Sequence, residues 1–354
     1  MGQTILRWIG DEHALAELVA GFPTLALVVL LAACIFVLSR GAGWMIDGVV
    51  HLARRTGLPK IVIGATIISL GTTTPEAFVS VMAAWMGNSG LALGNGVGSI
   101  ICDTGLIFGL TCLLSTVPVN RFILNRTGWV QVGAATLLVL ISLVALVRTP
   151  EQPMLHRWVG FSFLALLCGY MYVTYSWARD GAEAASQGEA EDDGEVASLS
   201  KALFLCLGGL LLVVLSARLL VPSAAELAYR IGVPDDVIAA TLVAFGTSLP
   251  ELMTAITAVR KGHPEITVGN IVGADVLNCL FVIGAAAAAR PLEIPPNFFL
   301  FHFPAMLIIL YSFRAFIAMN RDGFFKRWQG AWLLGIYIVY LALQYGLNIG
   351  GASG

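Results

Sequence analysis

The chain has 354 residues, of which 58% are hydrophobic and 12% charged, with a mean hydropathy of +0.84 and a formal net charge of −2. Soluble globular domains carry roughly 25% charged residues, so the composition excludes a soluble enzyme or binding module and leaves a polytopic membrane protein. Most of the few charges fall in loops and offer nothing for a nucleic-acid partner.

Residues 1–22 mix Arg7, Asp11, Glu12 and His13 with apolar residues. They lack the pattern of a cleavable signal and read as a short interfacial helix. A membrane span needs about 20 apolar residues. Ten runs qualify, near 24–53, 60–86, 91–115, 127–148, 155–178, 201–230, 235–260, 265–289, 297–317 and 328–348. The first and sixth are long and carry charges in their second halves: Asp47, His51 and Arg54, then Arg218, Glu226 and Arg230. The cysteines (Cys34, Cys102, Cys112, Cys168, Cys206, Cys279) lie in apolar runs without metal-ligand spacing and read as small buried hydrophobes.

Between the fifth and sixth runs, residues 179–200 hold Asp180, Glu183, Glu189, Glu191, Asp192, Asp193 and Glu195 among Ala, Gly and Ser, the composition of a disordered linker. It divides the chain into a five-span half at 1–178 and another at 201–354. Counting crossings from the N-terminus, one side of the membrane collects Arg7, Arg148, Arg157, Arg230 and Arg290. The other collects a larger basic set that includes Arg54, Arg55, Lys60, Arg121, Arg126, Arg179, Lys201, Arg260 and Lys261. The basic side is cytoplasmic by the positive-inside rule. The expectation is a multi-pass protein of the plasma (inner) membrane, both termini outside and the acidic linker in the cytoplasm.

The two halves repeat. Residues 57–110 fall on 232–285 without a gap. The matches include Pro59/Pro234, Ala65/Ala240, Thr66/Thr241, Gly71/Gly246, Thr72/Thr247, Pro75/Pro250, Glu76/Glu251, Gly87/Gly262, Gly94/Gly269, Asn95/Asn270 and Gly98/Gly273. Chance alignment of apolar runs would match Val, Ile, Leu and Ala, not Gly, Pro, Glu and Asn. Five spans separate equivalent points, and five is odd, so the copies must cross in opposite directions. The fold class is therefore an all-α membrane protein of ten transmembrane helices in two inverted five-helix repeats. Inverted repeats with polar interruptions mark secondary transporters that bind cargo near the bilayer midplane.

The chemistry sits in Gly71-Thr72-Thr73-Thr74-Pro75-Glu76 and its echo Gly246-Thr247-Ser248-Leu249-Pro250-Glu251. Glu76 lies 12 residues before the turn at Asn88 and Asp103 lies 15 after it; Glu251 and Asn278 flank His263 at the same separations. At 1.5 Å per residue, all four reach about 18–22 Å from their turns, near the membrane centre. A carboxylate there costs about 2.5–3.5 kcal/mol on insertion scales. Arg40 and Arg218 are the only basic residues inside spans that could pair with the acids. Glu76, Asp103 and Glu251 must therefore hold cations or protons. Pro75 and Pro250 lack an N–H, which frees the carbonyls of Gly71 and Gly246. Thr72, Thr73, Thr247 and Ser248 add hydroxyls one turn away. Asn95, Ser99 and Asp103 share a helix face, as do Asn270, Ala274 and Asn278. Gly94/Gly98 and Gly269/Gly273 form G-x-x-x-G pairs suited to close helix packing. An all-oxygen donor set suits Ca²⁺ or Na⁺ and not zinc or copper.

These motifs, G-[ST]-[ST]-x-P-E followed by G-N-x-x-G-[SA]-x-x-x-[ND], resemble the two α-repeats of the cation/Ca²⁺ exchanger superfamily, with the prokaryotic sodium/calcium exchanger branch nearest. The resemblance covers about 54 residues in each half. It implies a Ca²⁺/Na⁺ antiporter working by alternating access, with the first and sixth spans sliding over a fixed core. It further implies that Glu76 and Glu251 are central Ca²⁺ ligands aided by the Thr72 and Thr247 carbonyls, and that Thr73, Ser248 and Ser99 line flanking Na⁺ positions. Two departures stand out: Ala274 replaces the usual serine, and the acid and amide are arranged as Asp103 and Asn278 where related exchangers often have the reverse. They leave H⁺ open as the counter-ion. A cation channel fits an inverted repeat poorly. An intramembrane enzyme finds no H-E-x-x-H, G-x-S-x-G or paired-aspartate motif, and neither a cofactor nor a protein partner is expected beyond the transported ions and the bilayer.

Overall fold

The structure is a computed structural model; it describes residues 12–56, 58, 60–119, 121–185, 197–231, 248–320 and 322–346. It is all-helical apart from two small strand contacts. A short helix α1 (Glu12–Ala20) precedes α2 (Thr24–Thr56), α3 (Lys60–Met86), α4 (Ser89–Leu114), α5 (Arg121–Arg148) and α6 (Arg157–Ala185). The second half holds α7 (Leu199–Arg230), α8 (Leu249–Arg260), α9 (Pro264–Ala289), α10 (Phe298–Met319) and α11 (Arg327–Gly346). Helix α6 continues into the acidic stretch as far as Ala185; residues 186–196 lie outside the described residues.

Eight of these helices are long and apolar enough to cross a membrane, among the described residues. The two remaining runs differ for separate reasons. Helix α8 is described over 12 residues, because 232–247 lies outside the described part. Helix α11 has the length, but Trp328, Gln329, Trp332, Tyr337, Tyr340 and Gln344 dilute its apolar character.

The repeat is visible in the backbone. Helices α3 and α8 end on glycines in the left-handed region, Gly87 at φ 86° and Gly262 at φ 78°, where a side chain would be strained. Each starts a tight hairpin. Asn88 caps α4 by accepting from the Leu91 N–H at 3.0 Å, and Pro264 opens α9, where a missing N–H costs nothing. Both return helices switch to π-helical winding at matching depth, over Cys102–Phe108 in α4 and Asn278–Ile283 in α9.

The ends of the helices fix their directions. Arg290 donates to the Trp85 carbonyl at 3.0 Å, at the C-terminal end of α3. Beyond the C-terminal end of α8, His263 meets Lys60, the first residue of α3, at 3.4 Å. Helices α3 and α8 therefore point in opposite directions. Strands β1 (Met154–Leu155) and β2 (Leu292–Glu293) pair antiparallel, and Pro118 bridges to Phe324. Both clips join loops that the order of crossings places on a common side.

Helix α9 is the most enclosed span, while α2 and α7 face outward over most of their length. Backbone meets backbone where α9 crosses α3. A Cβ on Gly269 would lie 2.0 Å from the Ile61 oxygen, and one on Gly273 2.4 Å from the Ala65 oxygen. The second G-x-x-x-G thus sets α9 directly against the start of α3. Helices α2 and α7 cross by the same device: a Cβ on Gly48 would be 2.3 Å from the Cys206 nitrogen, and one on Gly209 2.4 Å from the Met45 nitrogen.

Candidate cation site

Pro75 does not interrupt its helix. The α-helix is continuous over Ser69–Met86 with Pro75 inside it, and the irregular winding expected at the proline lies earlier, as a π segment at Gly64–Ile68. Threonine hydroxyls occupy carbonyls in the turns before the proline: Thr72 Oγ1 donates to the Ile68 carbonyl at 3.2 Å and Thr74 Oγ1 to the Leu70 carbonyl at 2.6 Å. In the second copy Ser248 precedes the described part of α8 and its hydroxyl makes no capping bond; Pro250 sits in the first described turn, and Glu251 follows it. Thr247 and Gly246 lie outside the described residues.

Glu76, Thr72, Thr73, Ser99, Asp103, Ser248, Glu251 and Asn278 are all buried, none more than 3% exposed. Most carry a buried oxygen with no hydrogen-bond partner: Thr73 Oγ1, Glu76 Oε2, Ser99 Oγ, Asp103 Oδ1, Ser248 Oγ, Glu251 Oε2 and Asn278 Oδ1. Buried polar atoms in native proteins are nearly always bonded, so such a concentration of bare oxygens needs a reason. The copies meet crosswise. The Glu76 and Glu251 carboxyls lie within electrostatic reach of each other, as do Glu251 and Asp103. Thr72 of the first copy lies beside the Glu251 carboxyl, and Ser248 of the second beside Asp103. Asn95 Nδ2 ties α4 to α3 at this level, donating to the Glu76 carbonyl at 3.1 Å and to Ser80 Oγ at 3.0 Å.

Among the described residues, no three His, Cys, Asp or Glu side chains are grouped closely enough to hold one metal ion by themselves. A cation placed here would draw on hydroxyl and amide oxygens together with the carboxylates, the mixed coordination that Ca²⁺ accepts and zinc does not.

Sequence reasoning passed over a fourth acid. Asp275 is 1% exposed on α9. Its Oδ2 accepts from Thr104 Oγ1 and, at 2.5 Å, from Gln131 Nε2 of α5, while its Oδ1 is buried and bare. It lies within electrostatic reach of Asp103. The cost argument that picked out Glu76 applies to it equally. It escaped because its counterpart in the first copy is Ile100, so the repeat does not point to it. The two span arginines also part company. Arg40 is exposed, with its guanidinium 5.6 Å from the Phe36 ring on its own helix. Arg218 lies within electrostatic reach of Glu76.

Residues 26–176 and 201–346 match the family described as sodium/calcium exchanger protein. The chain belongs to this family. Among similar exchangers and relatives, it is 34% identical over 301 residues to the inner membrane protein YrbG of Escherichia coli, covering 84% of this chain and 90% of that protein. It is 26% identical over 349 residues to the sodium/calcium exchanger MaX1 of Methanosarcina acetivorans, covering 91% and 99%. The solved structure of the sodium-calcium exchanger NCX_Mj, soaked with Na⁺ and Sr²⁺, superposes with a TM-score of 0.76 at 26% identity, covering 90% of this chain and 99% of that one. A multi-pass membrane protein of the cation/Ca²⁺ exchanger superfamily is the identity that sequence, fold and relatives share.

Proposed function

We propose that the chain is a secondary antiporter that exchanges Ca²⁺ for Na⁺ by alternating access, with Glu76, Glu251 and Asp103 supplying the charge that both cargoes compete for. The observation that carries this reading is the set of bare buried oxygens contributed crosswise by both copies of the repeat. Thr72, Thr73, Thr247, Ser248, Ser99 and Asn278 complete the ligand set by hydroxyl, carbonyl or amide. Exchange follows from charge. An empty site leaves like charges facing each other in a poor dielectric, which resists the conformational step; either cargo relieves it.

In this reading α8 and α11 are also spans, giving ten helices in two inverted halves at 1–178 and 201–354. Both termini then lie outside and the acidic segment 179–200 in the cytoplasm of a plasma membrane. Helices α2 and α7 are the sliding pair. A second reading, H⁺ as the counter-ion, is favoured by two features: Ala274 is buried where a hydroxyl would serve Na⁺, and Asp275 adds a carboxyl.

The deciding experiment is radioactive Ca²⁺ uptake into proteoliposomes loaded with Na⁺ or with acid in separate runs, using wild type and Glu251→Gln. The expected result is uptake driven by internal Na⁺ that falls roughly 100-fold or more in the variant, the effect of about 3 kcal/mol. Uptake driven by the pH gradient alone would move the protein to proton coupling. Uptake indifferent to any counter-ion would end the antiporter reading.

A further inference from the structure

Arg218 sits where α7 crosses both copies of the motif. On one side, its neighbours Ala217 and Leu220 pack with Leu249 and Met253, which bracket Glu251, and with Leu38 of α2. On the other, the Arg218 guanidinium lies 5.9 Å from the centre of the Phe78 ring, one residue removed from the neighbour of Glu76. It forms no close ion pair with a described residue, and its Nη1 is buried with no hydrogen-bond partner. A buried donor left bare costs free energy, more when it is charged. A fixed cation at membrane depth is tolerated where an opposite charge faces it. Here the facing charge is the Glu76 carboxyl, at a distance too long for contact and short enough to be felt.

We propose that Arg218 is a built-in positive charge of the cation site, lowering by one the number of charges that cargo must bring. The inference rests on the reading that Glu76, Glu251 and Asp103 bind the transported ions. The charge is part of the chain, so the offset is permanent and, unlike cargo, cannot leave. The guanidinium takes no ligand position; it acts through the field. It lies over the Phe78 ring at the outer range of a cation–π contact. Removing it leaves the site one charge short, which an additional monovalent cation must fill, and removes a repulsion that weakens Ca²⁺ binding.

The test is Ca²⁺ uptake at clamped membrane potentials in proteoliposomes, driven by whichever gradient drives wild type. The variants are Arg218→Lys, Arg218→Gln, Arg218→Met and Phe78→Leu, with Glu251→Gln as control. Arg218→Gln and Arg218→Met are expected to shift the reversal potential by one additional monovalent cation per Ca²⁺. Their half-saturating Ca²⁺ falls roughly tenfold. Arg218→Lys keeps the wild-type coupling, and so does Phe78→Leu, which removes the ring and leaves the charge. Wild-type coupling and affinity in both neutral variants would overturn the proposal. So would loss of folded protein in both neutral variants with Arg218→Lys intact, which would assign the arginine to structure. Glu251→Gln separates the two claims: if it retains uptake, the site reading fails whatever Arg218 does; if it loses uptake while the neutral variants match wild type, only the arginine proposal fails.

Discussion

The two copies of the repeat share a skeleton and differ in chemistry. Gly87 and Gly262 turn the chain identically, and the return helices loosen into π winding at matching depth. On that common frame the first copy places Ser99, Ile100 and Asp103, whereas the second places Ala274, Asp275 and Asn278. Backbone turns and close helix crossings are needed twice, once in each direction through the membrane, so they repeat. In the proposed function cargo is bound once, between the copies, so its ligands are free to be divided unequally. Asp275 is the clearest product of that freedom: an acid with its own neutral donors, Thr104 and Gln131, and no echo in the other half.

Moving the central acid from one copy to the other is the sharpest way to break this contrast. Asp103→Asn alone is expected to reduce Ca²⁺ uptake by about 10- to 100-fold, equivalent to about 1.4–2.8 kcal/mol. Adding Asn278→Asp restores the charge count and should return uptake to within roughly threefold of wild type, the range in which contact energies vary with context. If the double variant stays as impaired as the single one, the copies are not interchangeable and the position of the charge matters beyond its number.

The second change concerns stability. Asp275→Leu strands the donors of Gln131 and Thr104 in a buried place and should lower unfolding stability by about 2–4 kcal/mol. Asp275→Asn keeps an oxygen for them and should cost about 1 kcal/mol or less. Unfolding midpoints in detergent measure both. Equal losses would show that the charge, not the acceptor, holds the cluster. The smallest effect is expected from Ala274→Ser, which makes the second copy resemble the first at Ser99. Half-saturating Na⁺ should fall by a few-fold, as one added hydroxyl ligand contributes about 1 kcal/mol. No change would place position 274 outside the cation path.

Much of this was legible in the amino-acid order because a bilayer punishes mistakes. Runs of apolar residues gave helix limits within a few residues, as at 60–86 against Lys60–Met86, and carboxylates inside them stood out by cost alone. What stayed hidden depends on three-dimensional neighbours. Proline signalled an interruption at Gly71, yet the helix passes through Pro75 and unwinds instead at Gly64–Ile68, where no residue type announces it. The crosswise placement of Thr72 beside Glu251 and of Ser248 beside Asp103 needs the packed copies. Gln131 and Thr104 look like ordinary polar residues in a span until Asp275 is seen between them. The depth of Arg218 could not be counted from a turn, because α7 runs on through Pro222 for 32 residues.

The glycine crossing of α2 and α7 has a mechanical consequence. With Gly48 against Cys206 and Gly209 against Met45, the two backbones interlock at two points along their length. These contacts lie one helical turn apart and lock the pair at a single crossing, so in the proposed alternating access the two helices would move together as one plank. A plank sliding across a site would uncover one entrance only by covering the other. In such a device the two sides of the membrane are kept apart by rigidity, with no need for two gates to keep time.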